Sequence, residues 1–175
     1  MDNNSINNPV FDVYDQYRTA RLNVRYLEKV LKRLRRNNFL MEFFIAVSAS
    51  SSAATIWFFQ GHTGEIIWKI LTSITALLAI AKPLMKLSDK IKYEEEMFTS
   101  YKVLDFDLQR LVFRIREKQC YDEELKLMFG TILDRRRELV KMDKGTTSNE
   151  RLLEQCYQKV LKELPVDGFY IPSER

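Results

Sequence analysis

The stretch LMEFFIAVSASSSAATIWFFQGHTGEIIWKILTSITALLAIAKPLM, residues 40–85, decides how this sequence is read. Its first half, 43–59, runs for 17 residues without a charge, and starting from Leu40 admits a single acid, Glu42. Its second half, 66–85, carries Lys69 and Lys82 with 12 uncharged residues between them. The connection QGHTGE, 60–65, is short and rich in turn formers. A hydrocarbon core of ~30 Å asks for about 20 apolar residues. The first run meets that length. The second covers only ~18 Å between its lysines at ~1.5 Å per residue, and needs both stems to snorkel to opposite headgroup layers. The pattern predicts a helical hairpin that crosses a membrane twice, with a soluble helical bundle as the competing reading.

The flanks point the same way. Trp57 and Trp68 mirror one another across the turn, where an aromatic belt belongs. Glu42 and Lys82 fall at similar height in such a hairpin and are expected to pair, while Glu65 precedes Lys69 by one turn. Eight basic residues lie between Arg18 and Arg36 against one acid, Glu28. Lys86, Lys90 and Lys92 follow the second run. The positive-inside rule then places both termini in the cytoplasm. Pro83 is expected to kink or end the second span.

Inside the hairpin, small and hydroxylated residues replace the leucines of a plain anchor. Ser48, Ser51, Ser52 and Thr55 in the first run and Thr72 and Thr75 in the second are the candidate pore-lining residues. The same small residues also suit close helix packing, and the two readings stay open.

Outside the hairpin, Val13, Tyr17, Ala20, Val24, Leu27, Leu31 and Leu34 step by fours and threes, as do Met97, Tyr101, Leu104, Leu108, Leu111 and Ile115. These are heptad seams, expected to pack antiparallel as a cytoplasmic stalk. Further helices are predicted over 121–142 and about 148–164, with Ser148 and Asn149 as caps and Pro165 with Gly168 as a stop. The predicted fold class is therefore all-α: a two-span transmembrane hairpin whose helices extend into an antiparallel cytoplasmic stalk, with C-terminal helices beyond. Its parts are a disordered tail (1–10), a basic helix (11–38), two spans (39–60 and 66–86) joined by a linker (61–65), a stalk helix (87–119), C-terminal helices (121–165) and a tail (166–175).

Composition excludes more than it assigns. The chain has 175 residues, net charge +4, 46% hydrophobic and 30% charged residues, with Gly 5, Pro 4 and Cys 2. A mean hydropathy of −0.29 is that of an ordinary globular chain and hides where the apolar residues lie. Cys120 and Cys156 lack metal or redox spacing and read as reduced, half-buried thiols. The N-terminal residues lack an apolar h-region, so no cleavable signal is expected. His62 is the only histidine. With no phosphate loop and no nucleophile-and-base set, neither an enzyme nor a metal or other cofactor is expected. The basic residues suit an anionic ligand or lipid headgroups, and the candidate ligand-binding residues are Arg25, Lys32, Arg33, Arg36, Lys86 and Lys90.

The order of parts resembles the SLATT effectors, two-transmembrane proteins of bacterial anti-phage systems. The resemblance rests on an Arg-rich helix (RTARLNVRYLEKVLKRLRRNNF), a hairpin with a very short outer linker, the lysines 82–92 and a charged helix with KYEEEMFTSYKVLDFDLQRL, and spans about residues 11–165. It implies a homo-oligomeric, multi-pass effector of the bacterial inner membrane, meeting anionic lipid. It further implies gating by a nucleotide second messenger or short oligonucleotide from a partner nucleotidyltransferase or sensor protein. Opening or disrupting the membrane would abort infection. The alternative expectation is a non-conducting, membrane-anchored adaptor that recruits a cytoplasmic partner.

Overall fold

So few glycines and prolines leave long uninterrupted runs of helix formers, and the helices are correspondingly long. The structure is a computed structural model that describes residues 8–50, 62–143 and 149–172. Over those residues it is all-α: α1 Val10–Ser50, α2 His62–Met85, α3 Leu87–Lys118, α4 Glu123–Met142, α5 Glu150–Glu163 and a 3-10 turn at Val166–Gly168. α2 begins at His62, inside the stretch read as a linker. The chain divides into two units, Met1–Lys29 with Glu95–Arg175, and Val30–Glu94.

The first unit is built on the two seams. Val13, Tyr17, Ala20 and Leu27 of α1 and all six seam residues of α3 are buried. The two helices run antiparallel, since Arg21 meets Asp105 while Tyr14 and Tyr17 share a cavity wall with Val112 and Arg116. α4 adds Leu125, Ile132 and Leu139, seven residues apart and so on one face. α5 adds Cys156 and Val160. Each fully buried aliphatic side chain contributes about 1.5–3 kcal/mol over its exposed state. Both C-terminal helices are capped: Asp122 accepts from Leu125 N and Asn149, one of the two expected caps, from Leu152 N, each at 3.0 Å. The other expected cap, Ser148, lies outside the described residues. α3 ends at Gln119 in left-handed backbone (φ 53°).

The second unit holds the rest of α1, all of α2 and the first turns of α3. α2 carries Pro83 in its last turn and gives way to α3 at Lys86, again left-handed (φ 43°). Lys82 Nζ lies 3.1 Å from Glu42 Oε1, the pairing expected from their matching heights. Asn38 Nδ2 donates to the same carboxylate oxygen at 3.2 Å. Together these hydrogen bonds, that from Lys82 foremost, hold Glu42 below the usual carboxylate range.

The two-span reading is corrected here. Among the described residues no helix is long and apolar enough to cross a membrane. This overturns both the transmembrane hairpin and the multi-pass inner-membrane placement with cytoplasmic termini. The reason lies in the distribution of charge. α1 is 41 residues long, but its described apolar portion is short, beginning after Glu42 and ending at Ser50. α2 is interrupted by Lys69 and Lys82, so its uncharged centre spans ~18 Å where ~30 Å is needed. The remainder of the first apolar run, including Trp57, lies outside the described residues.

Candidate functional site

The residues singled out from sequence do not form one site. Of the pore-lining candidates, Ser51, Ser52 and Thr55 lie outside the described residues. Ser48 falls on α1 and Thr72 on α2, while Thr75 is buried at 8% exposure. Among the described residues no helix is long and apolar enough to cross a membrane, so the two-span frame in which they were chosen is not found there. Of the ligand-binding candidates, Lys32, Arg33 and Arg36 are exposed on α1 within the second unit. Lys86 and Lys90 are exposed in the same unit, and Lys86 lines an open depression with Lys82, Pro83 and Asp89. Arg25 belongs to the first unit, where it is committed to Glu163.

That commitment belongs to a row of arginines on α1. Arg18, Arg21 and Arg25 follow one another by roughly one helical turn, so they lie along one side. Arg25 grips Glu163 with two N–H groups, its Nε lying 3.1 Å from Oε2. Arg18 donates both Nε, at 2.9 Å, and a terminal nitrogen to the carbonyl of Leu164. Leu164 is the C-cap of α5, so Arg18 satisfies one of the free carbonyls at that helix end and meets its negative dipole. Pro165 prevents the helix from continuing, which leaves that carbonyl free to be taken.

Arg21 turns the other way. Its Nε lies 3.1 Å from Asp105 Oδ1, and a terminal nitrogen donates to Tyr17 Oη at 2.7 Å. Asp105 Oδ1 is buried with no aligned hydrogen bond, so the contact is an ion pair by proximity. Burial is accordingly the largest effect on Asp105 and raises its carboxyl above the ordinary value, against the pull of Arg21 and Arg25. Burial works to lower Arg21, but Tyr17 and Asp105 outweigh it and the guanidinium is held above its ordinary value.

Beyond α5 the chain returns across α1 and α3. Phe169 stacks on Tyr14 with centroids 4.0 Å apart and planes 12° from parallel, while the Arg18 guanidinium lies 4.4 Å from the Phe169 centroid. The Tyr14 hydroxyl donates to Tyr170 O at 3.2 Å and accepts from Tyr170 N at 3.1 Å. Arg116 of α3 donates to Gly168 O at 2.9 Å. Pro172 is buried. Residues 164–172, running from the C-cap of α5 into the segment read from sequence as a tail (166–175), form a strap across α1 and α3.

Under this strap lies a cavity of 320 Å³. Tyr14 and Tyr17 of α1, Gln109, Phe113 and Arg116 of α3, and Glu163 and Phe169 supply its aromatic and polar walls. The volume is at the lower end for small-molecule sites, and a few convergent polar groups among aromatic rings are the usual lining of one. Its charge is unbalanced. Glu163 is matched by Arg25, but Arg18 and Arg116 have only main-chain carbonyls and no carboxylate partner among the described residues. Two positive charges therefore remain beside the cavity.

The sequence reading named Arg25 as a ligand contact, and the structure pairs it with Glu163; Arg18, Arg116, Tyr14 and Phe169 were not among its candidate site residues. The available signal was the aromatic pair Phe169–Tyr170 just after a helix stop, since large apolar rings are seldom left on a free tail. Cys156 is fully buried and Cys120 exposed, where both were read as half-buried. No family model, curated protein or solved structure matches this chain. The resemblance to the SLATT effectors therefore rests on the order of its parts alone.

Proposed function

We propose that this chain is a non-catalytic, signal-responsive helical effector of a bacterial anti-phage system. Its first unit receives an anionic, nucleotide-type signal, a second messenger or short oligonucleotide, supplied by a partner nucleotidyltransferase or sensor protein. The observation that supports this reading is the 320 Å³ cavity flanked by two arginines without carboxylate partners among the described residues. Arginine N–H groups bind phosphate through charge-assisted hydrogen bonds, and aromatic walls accept the face of a base. Titration calorimetry with a panel of cyclic and linear dinucleotides tests it. Binding is expected in the wild type and lost in Arg116→Glu. Binding that instead disappears only in an Arg33→Glu/Arg36→Glu variant would move the signal to the exposed basic residues of α1. No binding at millimolar nucleotide would refute the reading.

A second reading, an adaptor that works as a homo-oligomer and recruits a protein partner, is favoured by the second unit. Phe39, Ile70, Leu77, Ile80 and Leu84 are all more than half exposed there, an unusual density of large apolar side chains on a surface. Light scattering of the wild type and of a Leu77→Asp/Ile80→Asp variant tests it. A larger assembly that dissociates in the variant supports the adaptor, and a monomer in both refutes the oligomer.

A further inference from the structure

We propose that the strap, residues 164–172, is a built-in competitor of the ligand: it occupies the arginines of the first unit, and a phosphate-bearing ligand displaces it. This rests on the reading that the cavity takes an anion, and adds how the site is regulated.

Three features carry the inference. The first is what the arginines hold. Arg18 and Arg116 spend their N–H groups on the carbonyls of Leu164 and Gly168, both in the strap. A carbonyl is a neutral acceptor, so its bond to a guanidinium is charge-assisted from one side only, whereas a phosphate oxygen brings the opposite charge and allows two parallel N–H···O bonds. The strap thus engages the two guanidinium groups without cancelling their charge. A phosphate does both.

The second is how the strap is fastened. It is attached at discrete points: Arg18 at residue 164, Arg116 at 168, the Tyr14 and Arg18 faces at 169, the Tyr14 hydroxyl at 170, and burial of Pro172. Between these points Pro165, Val166 and Asp167 are exposed. Segments with few buried contacts and exposed backbone open at a small fraction of the global unfolding free energy. Two of the five fastenings are the arginines themselves, so a ligand that takes them removes part of what holds the strap.

The third is position. Leu164, Pro165, Gly168 and Phe169 form one side of the cavity, and Tyr14, Tyr17, Phe113 and Arg116 the other. Lifting the strap leaves the buried Tyr14 and Tyr17 of α1 and the exposed Phe113 and Arg116 of α3. The apparent affinity of such a site is reduced by the fraction of molecules with the strap raised.

The test uses the full chain with inorganic triphosphate as the probe. Calorimetry measures its affinity for the wild type, Phe169→Ala and Tyr14→Phe, and amide exchange at Tyr170 follows the strap. Thermal melting confirms that each variant is folded, and Tyr14→Phe, which keeps the ring, guards against a collapse of Phe169→Ala. Saturating triphosphate is expected to speed exchange at Tyr170 in the wild type, and Phe169→Ala to bind at least about ten-fold more tightly. Binding seen only in the loosened variants would also support competition. Wild-type binding with unchanged Tyr170 exchange and equal affinities in all three proteins would overturn the strap's role while leaving the anion site standing. No binding in any of the three would overturn the anion site, and the strap inference with it.

Discussion

The Tyr14 hydroxyl is a single atom group that ties the strap to α1, and removing it is the sharpest test of how that segment is held. Tyr14 is 1% exposed, and its oxygen makes two hydrogen bonds to the backbone of Tyr170, at 3.2 and 3.1 Å. Phenylalanine at this position keeps the ring and therefore the 4.0 Å stack on Phe169. What is lost is two neutral hydrogen bonds, each worth about 0.5–1.5 kcal/mol net, or about 1–3 kcal/mol together. With a factor of ten for every ~1.4 kcal/mol, local opening of the strap becomes about 5–150 times more frequent. Native-state amide exchange reads this directly, because the Tyr170 N–H is itself one of the donors. Its protection factor should fall by that ratio, whereas amides of the α3 core around Leu111 should keep theirs. Unchanged protection at Tyr170 would show that the hydroxyl does not fasten the strap. An equal fall at Tyr170 and Leu111 would show that the strap opens only with the whole unit.

Leu111 is fully buried between the helices of the first unit, so Leu111→Ala should cost about 2–5 kcal/mol in urea unfolding; a loss under 1 kcal/mol would refute its placement in the core. Burial raises the Asp105 carboxyl, so the folded state holds that proton more tightly than the unfolded chain does. Its contribution to stability is then full below the ordinary aspartate value of about 3.9 and declines as pH rises through the higher folded value. Asp105→Asn should flatten that decline in urea midpoints measured upward from about pH 4, and parallel profiles for the two proteins would refute the assignment. Asn149→Ala removes the acceptor for Leu152 N and should cost about 1 kcal/mol, seen as faster exchange in the first turn of α5. In the native protein a thiol reagent should label Cys120 rapidly and Cys156 only on unfolding, and fast labelling of both would contradict the buried position of Cys156.

Much of the first unit was legible because helix packing leaves a periodic trace. The seam from Met97 to Ile115 is buried at every position, and that from Val13 to Leu27 is buried or half-buried throughout. Glu42 and Lys82 were paired from matching heights alone, an inference that needs only the helical rise and a turn between them. The membrane hairpin failed for a physical reason visible in the same residues. A run of apolar letters records a demand for burial, and Lys69 and Lys82 leave α2 too short for that demand to be met by a bilayer.

The arginines divide what sequence determines from what tertiary structure decides. Periodicity places Arg18, Arg21 and Arg25 along one side of α1, and nothing in the local pattern distinguishes them. Their fates differ because their partners arrive from distant parts of the chain. Arg18 meets a carbonyl 146 residues away, Arg25 a carboxylate 138 residues away, and Arg21 an aspartate on α3. The sequence alone determined that the chain is helical, which faces of α1 and α3 seek burial, and the location of α4 and α5 to within about two residues, since these are short-range consequences of side-chain chemistry. The return of the C-terminal segment across α1 and α3 decided which charges are spent and which remain. That depends on contacts whose separation along the chain no helical period encodes.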